Sequence, residues 1–307
     1  PENIYQSARE RFRFSRLYLP GNNPGMFLNA GLHSPDGIIL DLEDSVAPDR
    51  KDEARILVRN ALRAVNFYGA ERMVRINQGE RGLTDLESVI PHNVHLILIP
   101  KCEDSDALRT VDETIVSIKK REGQNDTVLL MPIIESAKGV ERAYEIATAS
   151  PNVVAMAIGL EDYTADLGVQ RTKEGSESLY ARNRIVVGAR AAGIQAIGSV
   201  FSDVGDMDGL LSNVLSAKAM GFEGMGCIHP RQIAVIRKGF SPAPEEIDRA
   251  KKIVIAYRDA LSRGLGVVAL GSKMIDPPVV ARAQKTIDLA VRLEIVPQNW
   301  IEEEGKE

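Results

Sequence analysis

Cysteine is scarce in this chain of 307 residues. Cys102 and Cys227 are the two present, and they stand far apart without CxxC or Cys/His spacing. This scarcity excludes a disulfide framework and offers no zinc-site pattern. We therefore expect both residues to be buried thiols in a reducing compartment.

The sequence also lacks a basic excess and long apolar runs. Lys and Arg total 38 against 43 Asp and Glu, so neither a nucleic-acid surface nor a polybasic membrane patch is expected. No stretch of 18 consecutive apolar residues occurs, and the opening PENIYQSARERFRF lacks the apolar segment of a signal peptide. We expect a cytoplasmic protein that binds neither nucleic acid nor membrane.

Short apolar runs, several of them apolar almost throughout, alternate with longer amphipathic stretches almost to residue 240. This alternation predicts repeated βα units around a parallel sheet buried on both faces. No GxGxxG or GxxxxGK[ST] motif supports a Rossmann or P-loop fold. Eight units favour a TIM (β/α)₈ barrel over residues 1–240, and the runs occupy residues 16–19, 37–42, 72–76, 94–99, 127–134, 153–158, 194–200 and 223–228.

The remaining residues, 241–307, lie outside this repeat and predict a C-terminal helical extension. Residues 244 to about 262 are expected to form a helix, since Glu245 and Glu246 suit its first turn. A glycine-containing stretch then leads to the MIDPP run and to a last helix from about 279 to 293.

Charged residues follow several of the predicted strands. In a TIM barrel the chemistry lies at the C-terminal ends of the strands, so these residues are expected to share one site. They are Asp41, Glu43 and Asp44 after the second run, Arg75 within the third, Lys101 after the fourth, Glu135 after the fifth, and Glu161 and Asp162 after the sixth.

Glu135 and Asp162 are the expected Mg²⁺ ligands, because this ion takes one or two carboxylates and fills its other positions with water or substrate oxygens. Arg75 suits a substrate carboxylate or a developing enolate, although an ion pair with the acids after the second run would also explain it. Arg75, Glu135 and Asp44 are the expected substrate-binding residues. A Schiff base on Lys101 is conceivable, but the carboxylates favour a metal, and His229 is expected to be structural.

Seven motifs occur in order over about residues 15 to 290: LYLPGNNP, DGIILDLEDSVAP, VRIN, PIIES, GLEDYTADLG, GFEGMGCIHPRQI and SKMIDPPVV. Together they resemble the citrate lyase beta-subunit and malyl-CoA lyase family, also called the HpcH/HpaI aldolase/citrate lyase family. The resemblance implies a TIM barrel that binds Mg²⁺ through Glu135 and Asp162, with Arg75 in contact with the oxo acid.

The resemblance also implies a catalytic role for Asp276 of the MIDPP run. It is similar to a family aspartate that is carried on the C-terminal extension and reaches the active site of an adjacent subunit. That arrangement implies a homotrimer or homohexamer. Alternatively, Asp276 is the N-cap of the helix that begins at Pro277 and Pro278.

Two positions depart from the family pattern. Gly198 stands where many members have an aspartate, which leaves the identity of the substrate open. Phe14 stands where many members carry an arginine, with Arg13 and Arg16 beside it, so the residue that would contact CoA is also open.

The implied activity is Mg²⁺-dependent cleavage or formation of a 3-hydroxy-acyl thioester, such as citryl-, malyl- or citramalyl-CoA, with a 2-oxo acid as the other product. The thioester carrier is CoA or an acyl carrier protein, and partner subunits of a citrate lyase complex are conceivable. Two alternatives are a metal-dependent aldolase acting on free pyruvate-type hydroxy-oxo acids and a non-catalytic subunit of a citrate lyase complex.

Overall fold

The computed structural model describes residues 5–271 and 273–301, in which eight parallel strands form a barrel. Each strand pairs with the next, and β1 pairs with both β2 and β8. A parallel bridge between Gly198 and Met225 joins β7 to β8. The expected TIM barrel is confirmed. The strands are β1 Ser15–Pro20, β2 Gly37–Asp41, β3 Glu71–Arg75, β4 Leu96–Ile99, β5 Leu129–Ile134, β6 Ala155–Ile158, β7 Gln195–Ile197 and β8 Met225–Cys227.

Helices follow the strands and pack around the barrel. The longest of these helices, Ser105–Glu122, begins and ends at residues suited to helix termini. Asp104 caps its start by accepting a 2.9 Å hydrogen bond from the backbone N–H of Ala107, and Gly123 ends it with a left-handed backbone conformation. The helices of this unit are α1 Pro24–Ala30, α2 Lys51–Ala64, α3 Gly79–Val89, α4 Ser105–Glu122, α5 Ala137–Glu141, α6 Ala143–Ala147, α7 Leu160–Asp166, α8 Leu179–Ala191, α9 Met207–Met220 and α10 Arg231–Phe240.

Apolar side chains from the strands form one buried cluster, which includes Ile39, Met73, Leu98, Met131 and Ile197. Alternate residues of a strand face opposite sides of the sheet, so the residues between the members of this cluster pack toward the helices. The cluster fills the barrel, so the space near the strand ends has a closed floor.

A buried ion pair lies among the first residues of the strands. Arg13 donates two 2.8 Å hydrogen bonds to Glu71, and neither side chain is exposed to solvent. Arg13 also donates to the side chain of Gln195 at 2.6 Å. Arg13 lies two residues before β1, so these contacts link the segment that enters β1 to the first residues of β3 and β7, at the face opposite to the strand ends that carry chemistry in barrels of this type.

The chain divides into two compact units between Phe240 and Ser241. The second unit contains α11 Pro244–Ser262, the antiparallel pair β9 Val268–Leu270 and β10 Lys273–Ile275, and α12 Pro277–Arg292. Both predicted helices are present, whereas the short hairpin between them was not expected. The unit has its own core, which includes Ile253, Ile287 and Trp300.

Cys102 and Cys227 are free and buried, as expected. Burial raises the pKa of each thiol to about 12, which makes both poor nucleophiles. Within the described ranges, no helix is long and apolar enough to cross a membrane.

Candidate active site

A cavity of about 270 Å³ opens where the strands of the barrel end. Its lining includes Arg75, Glu135 and Asp162, which come from different strands and loops, and also Asp41 and Asp44. Six of the eight charged residues predicted to share this site line the cavity, Glu161 being the sixth, and the other two, Glu43 and Lys101, form ion pairs with residues of the lining.

Glu135 follows β5 directly and is 6% exposed. Its Oε2 accepts a 2.9 Å hydrogen bond from the backbone N–H of Lys101, which fixes the carboxylate at the cavity wall. Burial raises the pKa of Glu135 to about 7, although the Lys101 hydrogen bond and the charge of Arg75 oppose that rise. The nearby carboxylate of Asp162 raises it further, so this site favours an added positive charge.

Asp162 lies in the first turn of α7, which begins immediately after the end of β6. Its side chain is 42% exposed, and Oδ1 lies 3.6 Å from the Lys101 ammonium. Ser199, two residues after the end of β7, supports this turn, because its hydroxyl accepts a 3.1 Å hydrogen bond from the backbone N–H of Leu160. Asp162 thus faces the cavity from a short, anchored helix.

Arg75, the last residue of β3, forms the ion pair that was considered as an alternative to substrate binding. Its Nε and Nη2 donate to the two carboxylate oxygens of Asp41 at 2.6 and 2.7 Å, and Nη1 lies 3.1 Å from Glu43. Burial raises the pKa of Asp41, but the hydrogen bonds and charge of Arg75 outweigh it and hold that pKa below its ordinary value. The guanidinium also lines the cavity, so it is positioned and open to a ligand.

Lys101 is more central than the sequence indicated. Its ammonium lies 3.3 Å from Glu43, 3.5 Å from Asp44 and 3.6 Å from Asp162. Burial lowers the pKa of Lys101, but these acids raise it above its ordinary value. From the sequence, Lys101 could be recognised as a lysine at the end of a predicted strand. That position does not reveal how many carboxylates surround its ammonium.

The donor set of this site suits Mg²⁺. Carboxylates outnumber cationic side chains around the cavity, and each carboxylate offers hard oxygen ligands. Within the described part of the chain, no group of three or more His, Cys, Asp or Glu side chains could hold a metal. Two carboxylates are enough for Mg²⁺, which keeps several waters or takes substrate oxygens.

The structure adds Tyr18 and Arg16 of β1 to the lining of the cavity. The guanidinium carbon of Arg75 lies 5.4 Å from the centre of the Tyr18 ring, a cation–π distance. The sequence gives no signal for a role of Tyr18, because an aromatic residue within a strand is ordinary core composition.

Gly198 lines the cavity with its backbone. A Cβ atom at this position would meet the carbonyl oxygen of Gly224 at 3.5 Å and the Cβ of Met225 at 3.6 Å, which are ordinary contacts. Glycine is therefore not required here by crowding. His229 has the expected structural contact, since its Nδ1 accepts a 3.2 Å hydrogen bond from the backbone N–H of Arg231.

Asp276 belongs to the second unit, where it is the N-cap of α12. Its Oδ1 accepts a 3.2 Å hydrogen bond from the backbone N–H of Val279, and Pro277 begins the helix. The capping role is thus present, and the catalytic role remains a prediction.

Comparison with known proteins extends over nearly the whole chain. The family model of HpcH/HpaI aldolase/citrate lyase matches residues 15–230. The chain is 38% identical over 298 residues to the citrate lyase subunit beta of Leuconostoc mesenteroides subsp. cremoris, covering 95% of this chain and 99% of that protein. It is 34% identical over 289 residues to the mitochondrial citramalyl-CoA lyase of Homo sapiens, covering 90% and 85%.

A solved structure is similar as well. The CitE protein of Mycobacterium tuberculosis, in complex with magnesium, acetoacetate and coenzyme A, matches with a TM-score of 0.79 and 29% identity over 92% of this chain and 99% of that one. These likenesses confirm the expected fold and the expected enzyme class, a carbon–carbon lyase. The chain belongs to the HpcH/HpaI aldolase/citrate lyase family.

Proposed function

We propose that this protein is a Mg²⁺-dependent lyase that cleaves or forms a 3-hydroxy-acyl thioester, with an acyl thioester and a 2-oxo acid as the other reactants. Citryl-, malyl- and citramalyl-CoA are the substrate candidates. The observation that carries the proposal is the opening of Glu135, Asp162 and Arg75 into one small cavity at the strand ends.

In this proposal Glu135 and Asp162 hold the metal. A bound Mg²⁺ supplies a Lewis acid for the oxygens of the oxo acid. The Lys101 backbone N–H keeps the Glu135 carboxylate oriented, which reduces the cost of organising the site. Magnesium in the similar M. tuberculosis structure supports this assignment.

Arg75 binds the carboxylate or the developing oxyanion of the oxo acid, and Glu135 contributes to the same subsite. The pairing with Asp41 holds the guanidinium in one orientation, so little reorganisation is needed during reaction. Asp44, half exposed beside Lys101, accepts a hydrogen bond from a hydroxyl group or a water molecule. The cavity suits the oxo-acid portion, whereas a CoA or acyl-carrier-protein arm extends outside it.

The proton transfer is assigned to Asp276. In cleavage the substrate hydroxyl releases its proton to water, the carbon–carbon bond breaks, and Asp276 in its protonated form donates a proton to the enolate carbon of the acyl thioester. In condensation the Asp276 carboxylate removes the same α-proton, as microscopic reversibility requires. This role requires the extension, residues 241–307, to reach the cavity of a neighbouring subunit. A homotrimer or homohexamer provides such an arrangement.

Full-length similarity favours a thioester lyase over an aldolase acting on free acids. The match of the family model ends at residue 230, whereas the match to the Leuconostoc subunit covers 95% of the chain and so continues into the extension, residues 241–307. A citrate lyase beta subunit would act with partner chains, whereas a citramalyl- or malyl-CoA lyase would act as a homo-oligomer.

The test is an assay of the purified chain against citryl-CoA, malyl-CoA and citramalyl-CoA, following release of the oxo acid. Cleavage of one ester, lost with a chelator and restored by Mg²⁺, is the expected result. Glu135→Gln and Asp162→Asn should each remove turnover and Mg²⁺ binding. Asp166→Asn, one turn farther along α7, is the matched control and should retain both. Full activity in either ligand variant contradicts the proposal.

A further inference from the structure

Arg16 is a buried cation in the barrel without an acidic partner. The residue is 1% exposed, Nη1 lies 3.0 Å from the sulfur of Met131, and Nε has no hydrogen-bond partner. In the described residues, no carboxylate lies within ion-pair distance of Arg16. Arg13, two residues earlier, differs because it is fully paired with Glu71.

The fold makes room for this side chain. Arg16 is in register with Gly37 on β2 and with Gly226 on β8, so both neighbouring positions lack a side chain. The Cγ of Arg16 lies 3.5 Å from the place a Cβ of Gly37 would take. The side chain extends across the barrel to Met131 on β5 and lines the floor of the active-site cavity.

Burial lowers the pKa of Arg16 to about 10, so the guanidinium is still charged near neutral pH. A buried charge is costly unless it is paired and hydrogen-bonded, and arginine presents five donors in a planar fork. The described contacts satisfy few of these donors. A ligand anion in the cavity would supply the missing partner.

Tyr18 is two residues after Arg16 on β1, so the two side chains lie on the same face of the strand, and both line the cavity. Burial raises the pKa of Tyr18, and the charges of Arg16 and Arg75 oppose that rise. The guanidinium carbon of Arg75 lies 5.4 Å from the centre of the Tyr18 ring. Arg75 is committed to Asp41 and Glu43. Among the described residues that line the cavity, Arg16 is the one with a buried donor that has no partner, so it can bind an anion in addition to Arg75.

We propose that Arg16, with Tyr18 beside it, forms an anion subsite that receives a second carboxylate of the oxo-acid portion of the substrate. The substrate class is then a hydroxy-acyl thioester whose 2-oxo acid product carries two carboxylates. This inference rests on the proposed function, because it assumes that an oxo acid occupies the cavity. It makes Arg16 a residue that determines specificity.

The test is calorimetric titration of the purified full chain with Mg²⁺ and two probes, pyruvate and freshly dissolved oxaloacetate, which differ by one carboxylate. The wild type should bind oxaloacetate at least about tenfold more tightly, as expected for a buried hydrogen-bonded charge pair. Arg16→Met should remove that preference and change the affinity for pyruvate by less than about twofold. Arg16→Lys, which keeps the charge but not the fork, should retain part of the preference.

Equal affinity of the wild type for the two acids overturns the inference without any variant. An Arg16→Met protein that keeps the preference, or that weakens both acids equally, also overturns it. In either of these cases, loss of binding of both acids in Glu135→Gln shows that the proposed function stands and that only the Arg16 subsite is wrong. A wild type that binds neither acid with Mg²⁺ contradicts the proposed function itself. A thermal unfolding midpoint for each variant verifies that it is folded.

Discussion

The backbone N–H of Lys101 donates a 2.9 Å hydrogen bond to Oε2 of Glu135, and Lys101 has a left-handed backbone with φ of 46°. This conformation is uncommon for a residue with a side chain and carries a conformational cost. Here it occurs where the loop after β4 approaches the carboxylate of Glu135, which follows β5. One residue thus holds a proposed metal ligand with its backbone while its ammonium contacts three acids.

Replacing the Lys101 ammonium should strengthen Mg²⁺ binding. Lys101→Met keeps the backbone N–H that holds Glu135 but removes a positive charge near Asp162, so repulsion of the metal falls. We expect the Mg²⁺ dissociation constant to decrease by about threefold to tenfold. Calorimetric titration measures it, with Lys138→Met, an exposed lysine paired with Glu103, as control. Weaker binding would show instead that the ammonium organises the acids.

Gly159 leaves the space that Glu135 occupies. A Cβ atom at residue 159 would lie 2.3 Å from Oε1 and 2.7 Å from Cγ of Glu135, so an alanine must displace the carboxylate. Gly159→Ala should weaken Mg²⁺ binding by at least about tenfold, since a ligand moved by an ångström no longer fits the metal. Gly198→Ala is the matched control, because its Cβ makes only ordinary contacts in the same cavity. Similar Mg²⁺ affinity in both variants would contradict this prediction.

Asp276 has two separable roles. Asp276→Asn preserves an N-cap acceptor, whereas Asp276→Ala removes it and should cost about 1 kcal/mol of unfolding free energy. If Asp276 also transfers the proton, turnover should fall by about 100-fold or more in both variants. Urea unfolding and thioester cleavage, measured on the same samples, distinguish the roles. An active Asp276→Asn protein would leave capping as the role of this residue.

His95 should make the protein sensitive to acid. Its Nδ1 accepts a 3.0 Å hydrogen bond from the backbone N–H of Arg72, and Nε2 lies 2.7 Å from the carbonyl oxygen of Tyr5, so the ring is held neutral. Burial lowers its pKa from 6.5 to about 4, opposed by the Tyr5 contact. Between these values the unfolded chain binds the proton and the folded chain does not.

Stability contributed by His95 is therefore present above about pH 6.5 and decreases toward about pH 4. From about pH 7 to about pH 5 the loss should be about 2 kcal/mol of unfolding free energy. Urea unfolding at several pH values measures it. His95→Gln should flatten the dependence in this range, whereas His33→Gln, which removes an exposed histidine, should not. An unchanged slope in His95→Gln would contradict the assignment.

Hydrophobic patterning was sufficient to predict the barrel. Strands buried on both faces must be apolar along their length, so the runs at residues 37–42 and 127–134 could be located before any contact was known. The hairpin of β9 and β10 was missed, because its three-residue strands are too short for an alternating pattern to be recognised.

Residue type and position along the chain determined that acids follow the strands, and that Glu135, Asp162 and Arg75 share one end of the barrel. Tertiary structure alone decided their partners. The bidentate pairing of Arg75 with Asp41, the ammonium of Lys101 among three carboxylates and the isolation of Arg16 depend on distances between strands that are far apart in sequence. Charge pairing is a property of those distances, because the interaction falls with separation and with exposure to water.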